Sequence, residues 1–399
     1  MGQATAGTAT VVAAPEPPAV SRGTVRNVAV DFFRGLGLWI VFVDHLNPNV
    51  WSHLTLAQFG FSDFAEIFLF LSGWVNAGTY GRALDSGGVA AAMKKLPART
   101  ARLYGAHIAT MAAAFTLLGA CALQGLRLDK PWLYVWMEAP GRYLLRTLSL
   151  LYCPYAYSLI PLYLTLVPLA LVAVVALRRW PVWTLACSCA LWCIALTRAL
   201  DLPVTATREG WYFNPFAWQF LFVLGVAAQM YWAGVKRAAE SRTVQRLAIA
   251  VVLVALALKM AILIGPVERW ALGVTPLLAR LLDRGAGKTH LAPFRLVHFL
   301  SLVVLIVAIP RTWHKWLESG AARLAIANGR HSLLIYSVGL VLASAMNLLI
   351  LRWHGGPLLQ LACTVVGLSV LCGIAWRREG RSPRRANGAD LRPSARCPL

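Results

Sequence analysis

Between Val30 and His45 the chain reads VDFFRGLGLWIVFVDH, an apolar run that carries Asp31, Arg34, Asp44 and His45. Ionisable groups are costly in hydrocarbon, and where they persist they usually mark a site. On a helix, Asp31, Arg34 and His45 fall within about 60° of one another, with Arg34 about 16 Å below His45 along the axis. One stripe therefore joins the two ends of the segment. A second segment repeats the feature, with Asp63 and Glu66 three apart just ahead of FLFLSGW. If the two segments form a hairpin, these carboxylates start near the depth of His45. A histidine beside a carboxylate is what a general base needs, because the acid fixes the ring tautomer and stabilises its protonated form. The competing reading is a buried ion pair that holds the hairpin together. Next come Lys94, Lys95, Arg99 and Arg102, the last two on one helical face. They read either as ordinary charge at a membrane surface or as a clamp for an anion such as a phosphate, for which guanidinium offers planar bidentate donors.

The elements that position these groups follow from composition. Of 399 residues, 58% are hydrophobic and 14% charged, against roughly 25% charged in soluble domains. The expected fold class is all-α, a polytopic membrane bundle of about ten transmembrane helices. The apolar segments are centred on residues 28–47, 60–80, 104–124, 156–177, 182–199, 214–233, 247–265, 295–310, 331–351 and 357–376. Residues 1–25 have neither the basic start nor the apolar core of a secretory signal and read as a disordered tail. The transmembrane domain covers 26–376, and 377–399 form a basic tail. The net charge of +22 would suggest nucleic acid in a soluble protein, but no nucleic-acid motif or phosphate loop accompanies it. Assigned alternately to the two sides of the membrane, the connecting segments on one side carry roughly twice the basic residues of the other. Both termini are therefore expected in the cytoplasm.

Further polar residues lie in or beside the spans. Asn214, Gln219, Arg295 and His298 read either as the lining of an outer pocket or as hydrogen bonds between helices. Arg330 and His331 read as interfacial anchors. The outward segment 125–155 and its continuation hold Trp132, Tyr134, Trp136, Tyr143, Tyr152, Tyr155 and Tyr157, rings that suit either a membrane interface or a carbohydrate platform. The eight cysteines and eight histidines show no metal-ligand spacing, so no metal is expected.

These residues resemble a known family. Arg34, ten residues and His45 match the Arg/Lys-x10-His signature of the acyltransferase-3 superfamily of membrane O-acyltransferases. FLFLSGW (68–74) is similar to its Phe-rich Leu-Ser-Gly segment, and Arg99 with Arg102 matches its RxxR motif. The chain resembles more closely the OpgC-type proteins, which succinylate osmoregulated periplasmic glucans, through DFFRG (31–35), GFSDFAE (60–66), PLY (161–163), WYFNPFAWQ (211–219) and KTHLAPFRLVHF (288–299). One departure is Ser158, where an acidic residue is expected shortly before PLY.

The resemblance implies a multi-pass protein of the bacterial inner membrane that takes an acyl group from cytoplasmic acyl-CoA, succinyl-CoA first, to a periplasmic glucan. His45 would be the base and Glu66 or Asp63 its partner. Arg34, Arg99 and Arg102 would hold the CoA moiety, with Asp31 positioning Arg34. Tyr157, Tyr163, Asn214, Gln219, Arg295 and His298 would serve the acceptor. The alternative is a glycan or lipid-linked sugar transporter that uses the first-helix charges for proton coupling. Hydropathy shows no pair of related halves, which counts against it.

Overall fold

The computed structural model describes residues 27–125, 130–202, 211–263, 285–309 and 316–380. Every regular element among them is helical. In chain order the α-helices are α1 (Val28–His45), α2 (Phe64–Met93), α3 (Leu96–Leu123), α4 (Pro131–Glu138), α5 (Pro140–Leu148), α6 (Leu159–Arg179), α7 (Pro181–Leu196), α8 (Pro215–Met230), α9 (Trp232–Glu240), α10 (Arg242–Leu263), α11 (Pro293–Ala308), α12 (Gly320–Arg330), α13 (Ser332–Arg352) and α14 (Pro357–Gly380). Local chemistry sets several starts. Asn27 caps α1 by accepting from the N–H groups of Ala29 and Val30, and Pro181, Pro215 and Pro293 open α7, α8 and α11, where a missing N–H costs nothing.

All ten expected segments overlie helices, but not all are independent spans. Among the described residues five helices are long and apolar enough to cross a membrane: α3, α6, α10, α13 and α14. Six qualify if α8 and α9, bent by 94°, are one span. The others fall short for physical reasons. α1 carries Asp31, Arg34 and Asp44 within 18 residues, α2 interrupts its apolar stretch with Ser72, Asn76, Thr79 and Arg82, and α7 and α11 are only 16 residues long. α14 runs through Gly380, past the boundary expected at 376. Residues 1–26 and 381–399, most of the segment 266–294, and Arg311 and Lys315 lie outside the described residues.

Two glycine-lined crossings bring the functional helices together. A Cβ on Gly73 of α2 would stand 2.1 Å from the Phe222 carbonyl oxygen of α8, and one on Gly225 of α8 would stand 2.1 Å from that of Phe70. The contact of α1 with α12 is closer still, with Gly35 and Gly329 each 1.7 Å from a carbonyl oxygen of the other helix by the same measure. Backbones approach this closely only where side chains are absent. α12, like α4 and α5, lies outside the ten expected segments. Neither long nor strongly apolar, it buries Ala322, Ala325 and Asn328 completely.

The bundle has two chemically distinct ends. α1 finishes at His45 and α2 starts at Phe64, so His45 and Asp63 share one end. At the other, Arg178 at the finish of α6 donates to Asp85 (2.8 Å) and to the Gly81 carbonyl (3.1 Å) on the far half of α2. There too Arg330 pairs with Glu379 near the end of α14 and lies 3.7 Å from Asp31 in the first turn of α1. His331 is 3.3 Å from the same Glu379, so Arg330 and His331 act as ties between helices rather than as isolated anchors.

Gly225→Ala and Gly329→Ala should each lower stability by about 1–3 kcal/mol. Gly105→Ala, whose Cβ would meet nothing within 4 Å, should be neutral or stabilising. Thermal unfolding in detergent measures all three.

Candidate functional site

The first turn of α2 builds the site. Asp63 is its N-cap, with Oδ1 accepting from the Ala65 N–H at 2.8 Å, while Glu66 Oε2 accepts from the Asp63 N–H at 2.8 Å. This reciprocal box satisfies two orphan donors and also aims the remaining oxygens. Asp63 Oδ2 receives Lys288 Nζ at 2.6 Å and Arg295 Nη2 at 3.0 Å, and Glu66 Oε1 receives Arg295 Nε at 2.7 Å. Two carboxylates and two cations thus form a neutral cluster in which the Glu66 side chain is fully buried.

Lys288 and Arg295 come from the turn before α11 and from its first turn. That turn is held by α7 and α8. Asn214 N–H donates to the Thr289 carbonyl (3.0 Å), Trp218 Nε1 to that of Lys288 (3.1 Å) and Trp192 Nε1 to that of Leu291 (3.0 Å). One helical turn beyond Arg295, His298 Nδ1 accepts from the Ser62 N–H at 3.3 Å and lies 2.7 Å from Ser62 Oγ. Its other nitrogen packs over Gly60. His298 therefore fastens the 60–63 turn to α11.

His45 stands at the same end, half-buried. Its Nδ1 lies 2.7 Å from the Val41 carbonyl. A carbonyl oxygen only accepts, so Nδ1 carries the proton and the Nε2 lone pair is left for chemistry. Asn347 of α13 fixes the helix end, donating to the His45 carbonyl (2.9 Å) and accepting from the Asn47 N–H (2.8 Å). The charges of Lys288 and Asp63 act on the ring electrostatically. The expected His45–carboxylate hydrogen bond is absent. The capping box turns both acids toward α11, where Arg295 and Lys288 take them, and a backbone carbonyl orients the imidazole instead.

A second cluster lies among α1, α2, α3 and α6. Arg99 feels the charges of Arg34 and Arg102 and the phenols of Tyr80 and Tyr163, and Tyr163 in turn feels Arg34 and Arg99. Tyr336 of α13 lies within electrostatic reach of Tyr163 and Tyr157. Arg34 and Arg102 thus both add positive potential at Arg99, which favours an anion there. Tyr163, expected to serve the acceptor, thus lies within the electrostatic reach of Arg34 and Arg99. Asp31 Oδ2 lies 3.7 Å from Arg330 Nε.

Three expected acceptor residues have their polar groups engaged within the protein. Asn214 caps α8 through Phe216 and Ala217 N–H and donates to the Leu200 carbonyl at 2.6 Å. Gln219 accepts from Ser188 Oγ (2.6 Å) and donates to the Ser188 carbonyl (2.8 Å). Tyr157 is buried, with its hydroxyl 3.2 Å from Ser344 Oγ. Lys288, Asn347, Tyr80 and Tyr336 were not predicted. Lys288 alone carried a sequence signal, as the start of KTHLAPFRLVHF. Among the described residues no cluster of His, Cys, Asp or Glu could hold a metal.

Apolar helices, a buried charge cluster beside a half-buried histidine, and an arginine cluster elsewhere in the bundle define a polytopic α-helical membrane protein with an internal polar site. The family model described as OpgC protein matches residues 26–382, so the chain belongs to that family, whose membership suggests modification of glucans by a transferase. Neither a curated protein nor a solved structure matches the chain.

Breaking a buried ion pair leaves an uncompensated charge and costs about 3–5 kcal/mol. Arg295→Met should destabilise by that order, and adding Glu66→Gln should recover part of the loss. A double-mutant cycle followed by thermal unfolding measures the coupling.

Proposed function

We propose that the protein is an inner-membrane O-acyltransferase that moves a short acyl group, succinyl first, from cytoplasmic acyl-CoA to hydroxyls of a periplasmic glucan. The observation that carries this reading is the 2.7 Å contact of His45 Nδ1 with the Val41 carbonyl, which assigns the ring proton to Nδ1. A sugar hydroxyl has a pKa far above 7 and needs a base at the moment of attack, and Nε2 of His45 presents a lone pair at the end of α1. The hydroxyl proton passes to Nε2 as the oxygen attacks the thioester carbonyl. The carbon–sulfur bond then breaks, and the proton leaves with the CoA thiolate. Lys288, whose charge reaches His45, supplies positive potential where the oxyanion develops. Arg34, Arg99 and Arg102 hold the phosphates or the pantetheine end of the donor, with Tyr80, Tyr163 and Tyr336 around them. The acids set the position and charge of Lys288 and Arg295. No step requires a metal. Family membership favours this reading over a transporter.

Purified protein in detergent, given labelled succinyl-CoA and osmoregulated periplasmic glucan, should yield acylated glucan by mass spectrometry. No acylated product with any short acyl-CoA would contradict the proposal. His45→Ala should reduce transfer by about 10²–10⁴-fold with acyl-CoA binding retained, and full activity in that variant would remove His45 as the base. Arg99→Ala with Arg102→Ala should weaken acyl-CoA binding about tenfold or more, which calorimetry reads directly.

A further inference from the structure

The aromatic segment leading into α6 presents seven rings, and the structure separates them by what they touch. Trp132 and Trp136 pack on Phe115 of α3 with centroids 5.5 and 4.5 Å away, and Tyr143 packs on buried Tyr152 at 4.8 Å. Tyr157 is buried against Trp132. These rings fasten the segment to the bundle. Tyr155 is 54% exposed, and Tyr212, from another part of the chain, stands beside it with centroids 5.7 Å apart and planes tilted by 56°.

Tyr212 starts a row that leads inward. It meets Phe213 edge-on at 5.0 Å, the Lys288 ammonium lies 5.6 Å from the Phe213 centroid, and Lys288 donates to Asp63 at 2.6 Å. The row thus connects an exposed ring to the charge cluster whose field reaches His45. Lys288 is its polar step, with a side chain 28% exposed against 9% for Arg295 and 0% for Glu66.

The geometry points to Tyr155 and Tyr212 as a carbohydrate-binding subsite, a two-ring platform that seats one sugar unit of the acceptor while Lys288 meets hydroxyls of the next. A neutral sugar ring offers a C–H face that packs on the electron-rich face of an aromatic ring, and the phenol tips supply hydrogen bonds at its edge. Two rings tilted against each other suit a chain that turns from unit to unit better than a flat ligand. The inference deepens the acyl-transfer reading and takes from it the identity of the acceptor as a glucan.

The test separates the two. Binding of purified osmoregulated periplasmic glucan to the detergent-solubilised full chain is measured by calorimetry without acyl donor, and transfer kinetics are measured separately. Tyr155→Ala should weaken glucan binding and raise its KM about tenfold, with acyl-CoA affinity unaltered. Tyr155→Phe should stay closer to the parent than Tyr155→Ala. Tyr134→Ala, at the other exposed ring of the segment, should bind glucan as the parent does. Tyr212→Ala should match Tyr155→Ala. Unaltered glucan affinity in Tyr155→Ala, or no glucan binding by the parent protein, would overturn the platform. A parent protein that binds glucan through Tyr155 yet transfers no acyl group would uphold the platform and overturn the acyl-transfer reading.

Discussion

Four charges share one buried site at the end of α2, and none of them is tolerable there alone. Asp63 and Glu66 would each face a desolvation penalty of several kcal/mol without a partner. Arg295 answers both and Lys288 answers Asp63 a second time. The constraint reaches well beyond electrostatics. It joins the first turn of α2 to the first turn of α11 across more than half the chain. It also fixes the 288–292 turn, which α7 and α8 grip through Trp192, Trp218 and Asn214. The ground around His45 is set by this closure, and a bundle in which the cluster failed to form would lose the relation between α1, α2 and α11 together.

α1 links this site to the second one. It carries Arg34 about three turns from His45, and it passes α12 so closely that two glycines are required. Arg34 and Arg99 of α3 both act electrostatically on Tyr163 of α6, and Arg99 also acts on Tyr80 of α2. The spacing suits a donor whose anionic part stays at one depth while its thioester reaches another.

Part of this was legible in the sequence and part was not. Ionisable residues stand out in apolar text, so the α1 stripe, the Asp63/Glu66 pair and the Arg99/Arg102 pair could be named from types and spacing. Their partners could not. Asp63-x-x-Glu66 is also a capping-box pattern, and that local role turns the carboxylates away from His45 toward residues more than 200 positions later in the chain. Tyr80 and Tyr336 look like ordinary apolar-helix residues until the fold sets them beside Arg99 and Tyr163. Asn214 and Gln219 could have been pocket or packing, and only their hydrogen bonds decide. The ten helical segments were readable from hydropathy, whereas α12, short and rich in small residues, gave no periodic apolar signal. The number of independent spans depends on polarity, helix length and the α8–α9 bend, which an apolar run does not report.

The central claim is that one reaction path runs through the bundle from the arginine cluster to His45. Sealed vesicles containing the purified protein, with labelled succinyl-CoA on one face only and glucan on the other only, test it most directly. The account predicts acylated glucan on the face opposite the donor, lost in His45→Ala vesicles that still bind succinyl-CoA. Product formed only when donor and glucan share a face would contradict it.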